Sequence, residues 1–130
     1  MSRDLPPEAE ELIEGEPLMA HFATSHDDRP HVAPIWYRYD SGTLSVLISG
    51  QKLENVRRNP RVAVSIEKST DGDAEWMVTM RGTAEVIENE EATREAERSI
   101  NPKYGADPDA WTGNTLVRVD VGSGTYQTYD

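Results

Sequence analysis

One short polar segment joins two strand-like runs in the middle of the chain. Residues 44–48 and 62–66 are rich in Val, Ile and Leu, and both runs have the length and the bounding turn residues of strands. Between them, Leu53 and Val56 supply the apolar edge of one short helix. Asn59-Pro60 ends that helix, because the residue before a proline is pushed out of the helical region.

The start of this helix predicts an anion site. Ser49, Gly50 and Gln51 bring unpaired backbone N–H groups to the first turn, where the helix dipole favours a negative charge. Lys52 adds a positive charge there, which opposes the dipole unless an anion lies beside it. A bound phosphate satisfies both features. The alternative is a solvated surface lysine, tolerated at a cost of roughly a few tenths of a kcal/mol.

The charge balance argues against nucleic acid as a partner. The sequence has 13 Lys and Arg against 24 Asp and Glu, which gives a formal net charge of −11. A nucleic-acid backbone requires a basic stripe, and a chain this acidic repels a polyanion. Only three of the basic residues are lysines, so Lys52 is harder to explain as a filler residue. The acidic, lysine-poor composition resembles that of halophilic proteins, whose excess acids maintain solubility at high salt.

The length predicts a single domain over residues 1–130, large enough to bury a core of its own. The sequence has no cysteine, which excludes disulfides, thiolate metal sites and cysteine nucleophiles. No apolar run is long enough to cross a bilayer, and no secretory leader is recognisable. We therefore expect a cytoplasmic protein that does not bind membranes.

The order of the elements predicts a mainly β fold with short helices. Residues 1–16 form a helical cover with prolines near its start and Gly15 past its end, and residues 90–100 form a solvated helix. Strands are predicted at residues 18–24, 31–39, 43–48, 61–67, 76–87, 116–121 and 125–129. Their short connections favour a six- to seven-stranded antiparallel barrel.

Three positions along the chain carry further expectations. Residues 31–39 are apolar on both faces, which predicts burial on two sides, whereas Pro34 cannot donate to a ladder and predicts an edge, gap or bulge. Gly82 lies in the middle of the longest strand and predicts a bulge or a close backbone approach. Residues 122–124, Gly-Ser-Gly, predict a turn between the last two strands.

Three motifs give the chain a resemblance to a known family. They are His-Val-Ala-Pro-Ile-Trp at residues 31–36, Ser-Gly-Gln-Lys-Leu-Glu-Asn-Val-Arg-Arg-Asn-Pro-Arg-Val at 49–62, and Met-Arg-Gly-Thr-Ala-Glu-Val at 80–86. With the elements in this order, the chain resembles the flavin-binding split-barrel family of pyridoxamine 5′-phosphate oxidase-like proteins over nearly its whole length. The second motif is the most specific of the three.

This resemblance implies a homodimeric oxidoreductase that holds FMN between two protomers and acts on a small organic substrate. The Lys52 position binds the FMN phosphate in this family, residues like Ile48, Ser49 and Gln51 line the phosphate end, and residues 33–36 run along the isoalloxazine. Asn55 lies in the same motif, and Trp111 lies on a loop able to reach a neighbouring protomer. The predicted cofactor-binding residues are Ala33, Pro34, Ile35, Trp36, Ile48, Ser49, Gln51, Lys52, Asn55 and Trp111.

The chain also departs from the family pattern. The oxidase holds its substrate phosphate with an arginine-histidine motif near the C-terminus, whereas residues 125–130 contain neither residue type, so we do not expect oxidation of vitamin B6. Met77 stands where the oxidase places a glutamine toward the flavin. A related branch binds the deazaflavin F420 with a similar helix motif, so an F420-dependent reductase is one alternative. A flavin-binding or haem-binding module without turnover is the other.

No side chain stands out as a catalytic acid, base or nucleophile. His21, His26 and His31 lack the spacing of metal ligands, and no metal site is predicted. This suits a protein whose bound cofactor carries out the chemistry, while the chain supplies orientation and electrostatics.

Overall fold

A computed structural model describes residues 5–129 of the protein. Within that range the chain forms three helices and seven strands. In chain order they are α1 (Pro7–Gly15), β1 (Ala20–His26), β2 (Arg29–Ile35), β3 (Arg38–Asp40), β4 (Thr43–Ile48), α2 (Gly50–Arg58), β5 (Arg61–Thr70), β6 (Asp73–Ile87), α3 (Glu90–Lys103) and β7 (Thr115–Thr128). Most predicted boundaries lie within three residues of these.

The strands form one antiparallel sheet in the order β2-β1-β5-β6-β7-β4-β3. Its two edge strands, β2 and β3, follow each other in sequence through Trp36 and Tyr37 but do not pair with each other. The sheet is therefore curled into a barrel that stays open along one seam. The predicted fold class, a mainly β, six- to seven-stranded antiparallel split barrel, is confirmed.

The main core fills the concave side of this sheet. Alternate residues of β1, β5 and β6, such as Phe22, Ile66 and Val78, are fully buried there. Helix α1 adds Ala9 and Ile13, which have no exposed surface. The predicted helical cover over residues 1–16 thus contains α1, whereas its first four residues lie outside the described part of the chain.

A smaller apolar cluster lies under α3. Ala96 and Ile100 on this helix pack against Leu116 of β7, with Trp36 and Leu47 at the margin. Helix α3 continues to Lys103, three residues beyond the predicted end, with Pro102 in its last turn. None of the helices in residues 5–129 is long and apolar enough to cross a bilayer.

The predicted second strand, residues 31–39, was wrong in two respects. The structure divides it into β2 and β3, because Tyr37 leaves the ladder, is fully buried, and donates its hydroxyl to the Ile13 carbonyl at 2.6 Å. Nor is β2 buried on both faces, since Val32 is 64% exposed. The edge that Pro34 predicted is present, because β2 pairs only with β1.

The predicted turn at residues 122–124 was also wrong. Strand β7 runs straight through it, and its register against β6 shifts by one residue at Arg81/Gly82. The predicted close approach at Gly82 is confirmed, because a Cβ atom there would lie 2.4 Å from the Asp120 carbonyl oxygen. A glycine is needed at that point because any side chain there would clash with the backbone of β7.

Candidate functional site

The first turn of α2 is free of the groups that usually occupy a helix start. Ser49 is the N-cap residue, but its side chain makes no capping hydrogen bond, and the first turn contains no acidic residue. Gly50 opens the helix at φ +71°, in the left-handed region that favours glycine. The first backbone N–H groups therefore lack a side-chain acceptor, and the positive end of the helix dipole is uncompensated.

Lys52 adds a side-chain cation to this helix start. It is half-buried, and its Nζ donates to the Ser49 carbonyl over a long 3.4 Å. Among residues 5–129, no carboxylate forms an ion pair with it. By contrast, Lys68 forms an ion pair with Glu16 at 3.1 Å. Lys52 thus has its charge available for an anion.

A cavity of about 290 Å³ adjoins this helix start. It lies where the seam between β2 and β3 meets the ends of β4 and α3. Its lining residues are Met19, Pro34, Ile35, Trp36, Leu47, Ile48, Ser49, Lys52, Ile100, Asn101, Trp111 and Asn114. Of these described lining residues, Lys52 alone is charged, and none is an acid, a histidine or a cysteine. The cavity suits a ligand that joins an anionic group to an apolar body.

One wall of the cavity is held by Tyr104, just past the end of α3. The Tyr104 ring stacks on Trp36 with centroids 4.7 Å apart and planes 5° apart. Its hydroxyl donates to the Leu18 carbonyl at 2.5 Å and accepts from the Tyr37 backbone N–H at 3.2 Å. Leu18 precedes Met19, another lining residue, so one side chain fixes two parts of the wall.

Burial sets the protonation of the groups behind this wall. It raises the pKa of the Tyr104 hydroxyl to about 12, although the hydrogen bond from the Tyr37 backbone opposes the shift. Burial also raises the pKa of Tyr37. Both hydroxyls therefore remain protonated donors at neutral pH. Burial lowers the pKa of the Lys103 ammonium, which lies 4.3 Å from the Tyr37 ring centroid, and Glu14 opposes that change.

The opposite wall comes from the end of α3 and the loop that follows it. Ile100 and Asn101 line the cavity from the helix, and both are almost fully buried. Trp111 and Asn114 line it from the loop. The Asn114 amide donates to the Trp111 carbonyl at 3.2 Å. Trp111 itself is 67% exposed, so its indole lies at the rim rather than inside the protein.

The structure brings seven of the ten predicted cofactor-binding residues to this cavity. They are Pro34, Ile35, Trp36, Ile48, Ser49, Lys52 and Trp111. The other three do not line it. Ala33 lies in β2 opposite Phe22. Asn55 is buried and donates to the Thr24 hydroxyl at 3.0 Å, and Gln51 donates to the Asn55 side chain at 2.8 Å, so these two amides fasten α2 to β1.

Five of the lining residues were not predicted from the sequence, namely Met19, Leu47, Ile100, Asn101 and Asn114. Leu47 and Ile100 could have been proposed from the sequence. Leu47 lies in the predicted strand that leads into the motif at residues 49–62, and Ile100 lies at the end of the predicted helix. Asn101 had only a weak signal, its position directly after the predicted helix end at residue 100. Met19 and Asn114 had none, because both lie in connections whose course depends on tertiary contacts.

The histidines lie away from the cavity lining. His21 borders a groove on the convex face of the sheet, and the His31 Nδ1 is buried without a hydrogen-bond partner. In the described part of the chain, no three His, Asp or Glu residues are grouped as a metal site requires.

A groove, which we call the sheet-face groove, lies on the convex side of the sheet. Helix α3 does not cover this part of the sheet. The groove has a volume of about 600 Å³ and crosses β2, β1, β5, β6 and β7. Small side chains such as Ala23, Ala63 and Thr79 line it, with the exposed Val32 at one side. Val32 is two residues from Pro34 on the same face of β2, so the groove and the cavity adjoin along this strand.

Solved structures share this fold over nearly the full chain. An FAD-binding protein of Mesorhizobium loti is 21% identical with a TM-score of 0.77, covering 97% of this chain and 96% of that one. An F420 reductase is 24% identical with a TM-score of 0.74, covering 92% and 98%. The haem storage protein HutZ of Vibrio cholerae is 18% identical with a TM-score of 0.75, covering 98% and 95%. At these identities the likeness concerns the fold.

Two comparisons of sequence differ sharply in extent. The chain is 26% identical over 68 residues to the ovarian tumor domain-containing deubiquitinating enzyme 7 of Arabidopsis thaliana, a match that spans 52% of this chain and only 18% of that protein. A model of the family described as pyridoxamine 5′-phosphate oxidase, by contrast, matches residues 6–126. That range includes every strand except the end of β7 and all the described cavity residues. The chain therefore belongs to the pyridoxamine 5′-phosphate oxidase family.

Proposed function

We propose that this protein binds FMN in the cavity and acts as a flavin-dependent oxidoreductase on a small organic substrate. The observation that carries the proposal is a helix start with no side-chain cap and a lysine that forms no ion pair with residues 5–129, placed beside apolar and aromatic walls. FMN joins a phosphate to a planar ring through a flexible chain. The cavity lining contains groups that complement both parts, a lysine beside a helix start and apolar and aromatic side chains.

The phosphate matches Lys52 and the first N–H groups of α2, whose charge and dipole both favour an anion. The ring matches Pro34, Trp36 and Trp111, which present flat or apolar surfaces. When bound, FMN supplies the hydride or electron transfer itself. The residues of this chain bind and orient it and exclude water, since the described lining contains no acid, histidine or cysteine.

We further propose a homodimer with the cofactor at the interface. A cavity of about 290 Å³ is at the small end of ligand sites, which supports a second wall from a partner copy. The sheet-face groove is proposed as the surface for that copy, because most of its lining side chains are small, with Arg81 and His21 among the larger ones, and the exposed Val32 borders it. A copy seated there reaches Pro34 and the cavity along β2.

The second candidate is an F420-dependent reductase. The similarity in fold to an F420 reductase favours it, and F420 also carries a phosphate on a ribityl chain beside a tricyclic ring. The contacts proposed for Lys52 and the aromatic walls are the same for both cofactors. A haem-binding module without turnover has less support, because no imidazole is among the described lining residues.

Titration of the purified protein with FMN, riboflavin, F420 and haem, followed by absorption and flavin fluorescence, tests the proposal. Lys52→Ala removes one charge-assisted contact, worth about 1.5–3 kcal/mol, so FMN affinity should fall by roughly tenfold to a hundredfold. Riboflavin lacks the phosphate and should bind wild type and variant about equally. The matched control is Lys68→Ala, which removes the same charge from the Glu16 ion pair on β5 and should leave FMN affinity unchanged.

Each outcome separates the candidates. Tighter binding of F420 than of FMN would favour the deazaflavin reductase, and a Soret band on haem addition would favour the haem module. Superimposable FMN titrations of wild type and Lys52→Ala would refute this phosphate site. A protein that binds neither FMN nor F420 contradicts the proposed function altogether.

A further inference from the structure

Asn101 has an unusual position for an amide side chain. It lies in the last turn of α3, is 2% exposed, and lines the cavity. Its Nδ2 donates to two backbone carbonyls of the following loop, those of Pro108 at 3.2 Å and Ala110 at 2.7 Å. Its backbone carbonyl accepts from the Ala106 N–H at 3.0 Å. A single residue thus fixes the path of the chain from the helix end to residue 110.

Trp111 follows Ala110 and is held in a backbone conformation that a residue with a bulky side chain rarely adopts. Its φ is +56°, in the left-handed region, which is unfavourable for a residue with a Cβ atom. The carbonyl before it is fixed by Asn101, and its own carbonyl accepts from the Asn114 amide. The indole gains little burial in return, since 67% of the residue is exposed at the cavity rim. Core packing therefore does not explain this conformation.

We propose that Asn101 is a positioning residue that holds the Trp111 indole at the cavity mouth as a stacking surface for the planar ring of the bound cofactor. The inference rests on the proposed function, because it requires a ring in the cavity. An amide is suited to this position, since both hydrogens of one NH₂ group serve two carbonyls, and neither a carboxylate nor an apolar side chain can do the same.

Asn101→Asp tests this, because it removes both donors with little change in volume. Loss of an ordered stacking surface should weaken FMN binding by about threefold to tenfold. Asn89→Asp is the matched control on the same helix. The Asn89 side chain caps the start of α3 by accepting from the Ala92 N–H at 2.9 Å, a role that Asp retains, so FMN affinity should not change.

A double-mutant cycle separates positioning of Trp111 from general support of the cavity. Trp111→Ala alone should weaken FMN binding by at least as much as Asn101→Asp. If Asn101 acts through the indole, Asn101→Asp should have less than about a twofold further effect in the Trp111→Ala background. Additive losses would overturn the inference and leave the proposed function intact.

Two further outcomes are decisive. If Asn101→Asp does not fold, Asn101→Ala, which introduces no buried charge, goes through the same cycle with the same expected result. If the wild-type protein binds no FMN, the proposed function fails, and this inference fails with it. If wild type binds FMN and Trp111→Ala binds it equally well, only the inference fails.

Discussion

Replacing Tyr104 by Phe isolates the two hydrogen bonds that hold the Trp36 wall. The variant keeps the stacked ring but leaves the Leu18 carbonyl and the Tyr37 N–H without their partner in a partly buried setting. A lost partner for a buried polar group typically costs about 1–3 kcal/mol. Both hydrogen bonds are only partly buried, so water can replace part of what is lost, and we expect the free energy of unfolding to fall by about 1–3 kcal/mol in total.

Urea unfolding followed by circular dichroism measures this change. With a slope of about 1–3 kcal/mol per molar urea, the midpoint should fall by on the order of 1 M while the slope stays constant. Tyr126→Phe is the control, because it deletes the same hydroxyl from a half-buried tyrosine for which the described residues provide no hydrogen-bond partner. Equal midpoints for the two variants would refute the energetic role assigned to Tyr104.

The same variant should alter the stability at alkaline pH. The pKa of Tyr104 is raised from 10.0 to about 12 in the folded protein, chiefly by burial. The unfolded chain therefore loses this proton first, so the stability that the group contributes is complete below about pH 10 and is lost as the pH rises toward 12. Tyr104→Phe should make this loss of stability with rising pH less steep. Some loss should remain, because burial also raises the pKa of Tyr37. An unchanged decline would contradict the burial argument.

Two further substitutions test the sheet. Gly82→Ala places a Cβ atom 2.4 Å from the Asp120 carbonyl oxygen and should destabilise the protein by about 1–3 kcal/mol in urea unfolding, whereas Gly15→Ala, with no atom within 4 Å, should stay within about 0.5 kcal/mol of wild type. Val32→Asp puts a charge on the exposed side of β2 and should convert the proposed dimer to a monomer in light scattering. A monomeric wild-type protein with flavin bound would contradict the interface.

Local patterns predicted the elements on either side of the site well. Strand β4 and helix α2 lie where the turn residues and the Asn59-Pro60 pair indicated. The close approach at Gly82 was also predictable, because an isolated glycine in the middle of a strand marks a bulge or a close backbone approach. The motif around Lys52 then located one end of the cavity. These features depend on residues close together in the sequence, so one sequence is enough to predict them.

The errors have a common physical cause, namely contacts between residues far apart in sequence. Apolar alternation continues through residue 37, but Tyr37 leaves the sheet because the Ile13 carbonyl and the Tyr104 hydroxyl provide better partners. The Gly-Ser-Gly at 122–124 has the composition of a turn, yet β7 continues because Gly124 admits the Leu5 side chain and β6 supplies a long partner strand. The roles of Asn101 and Tyr104 arise in the same way, so neither could be assigned before the structure.

The overall charge limits how this site can attract an anion. A protein with a net charge of −11 repels anionic ligands at long range, and at physiological ionic strength this repulsion is screened beyond about 8 Å. Any binding of a phosphate must therefore come from contacts within a few ångströms. The chain supplies them as fixed backbone donors at α2 and one half-buried lysine with no acidic partner among the described residues. Such donors act at short range and require a rigid setting, which the Asn55 side chain provides by fastening α2 to β1. An acidic surface is therefore compatible with the proposed anion site in the same small domain.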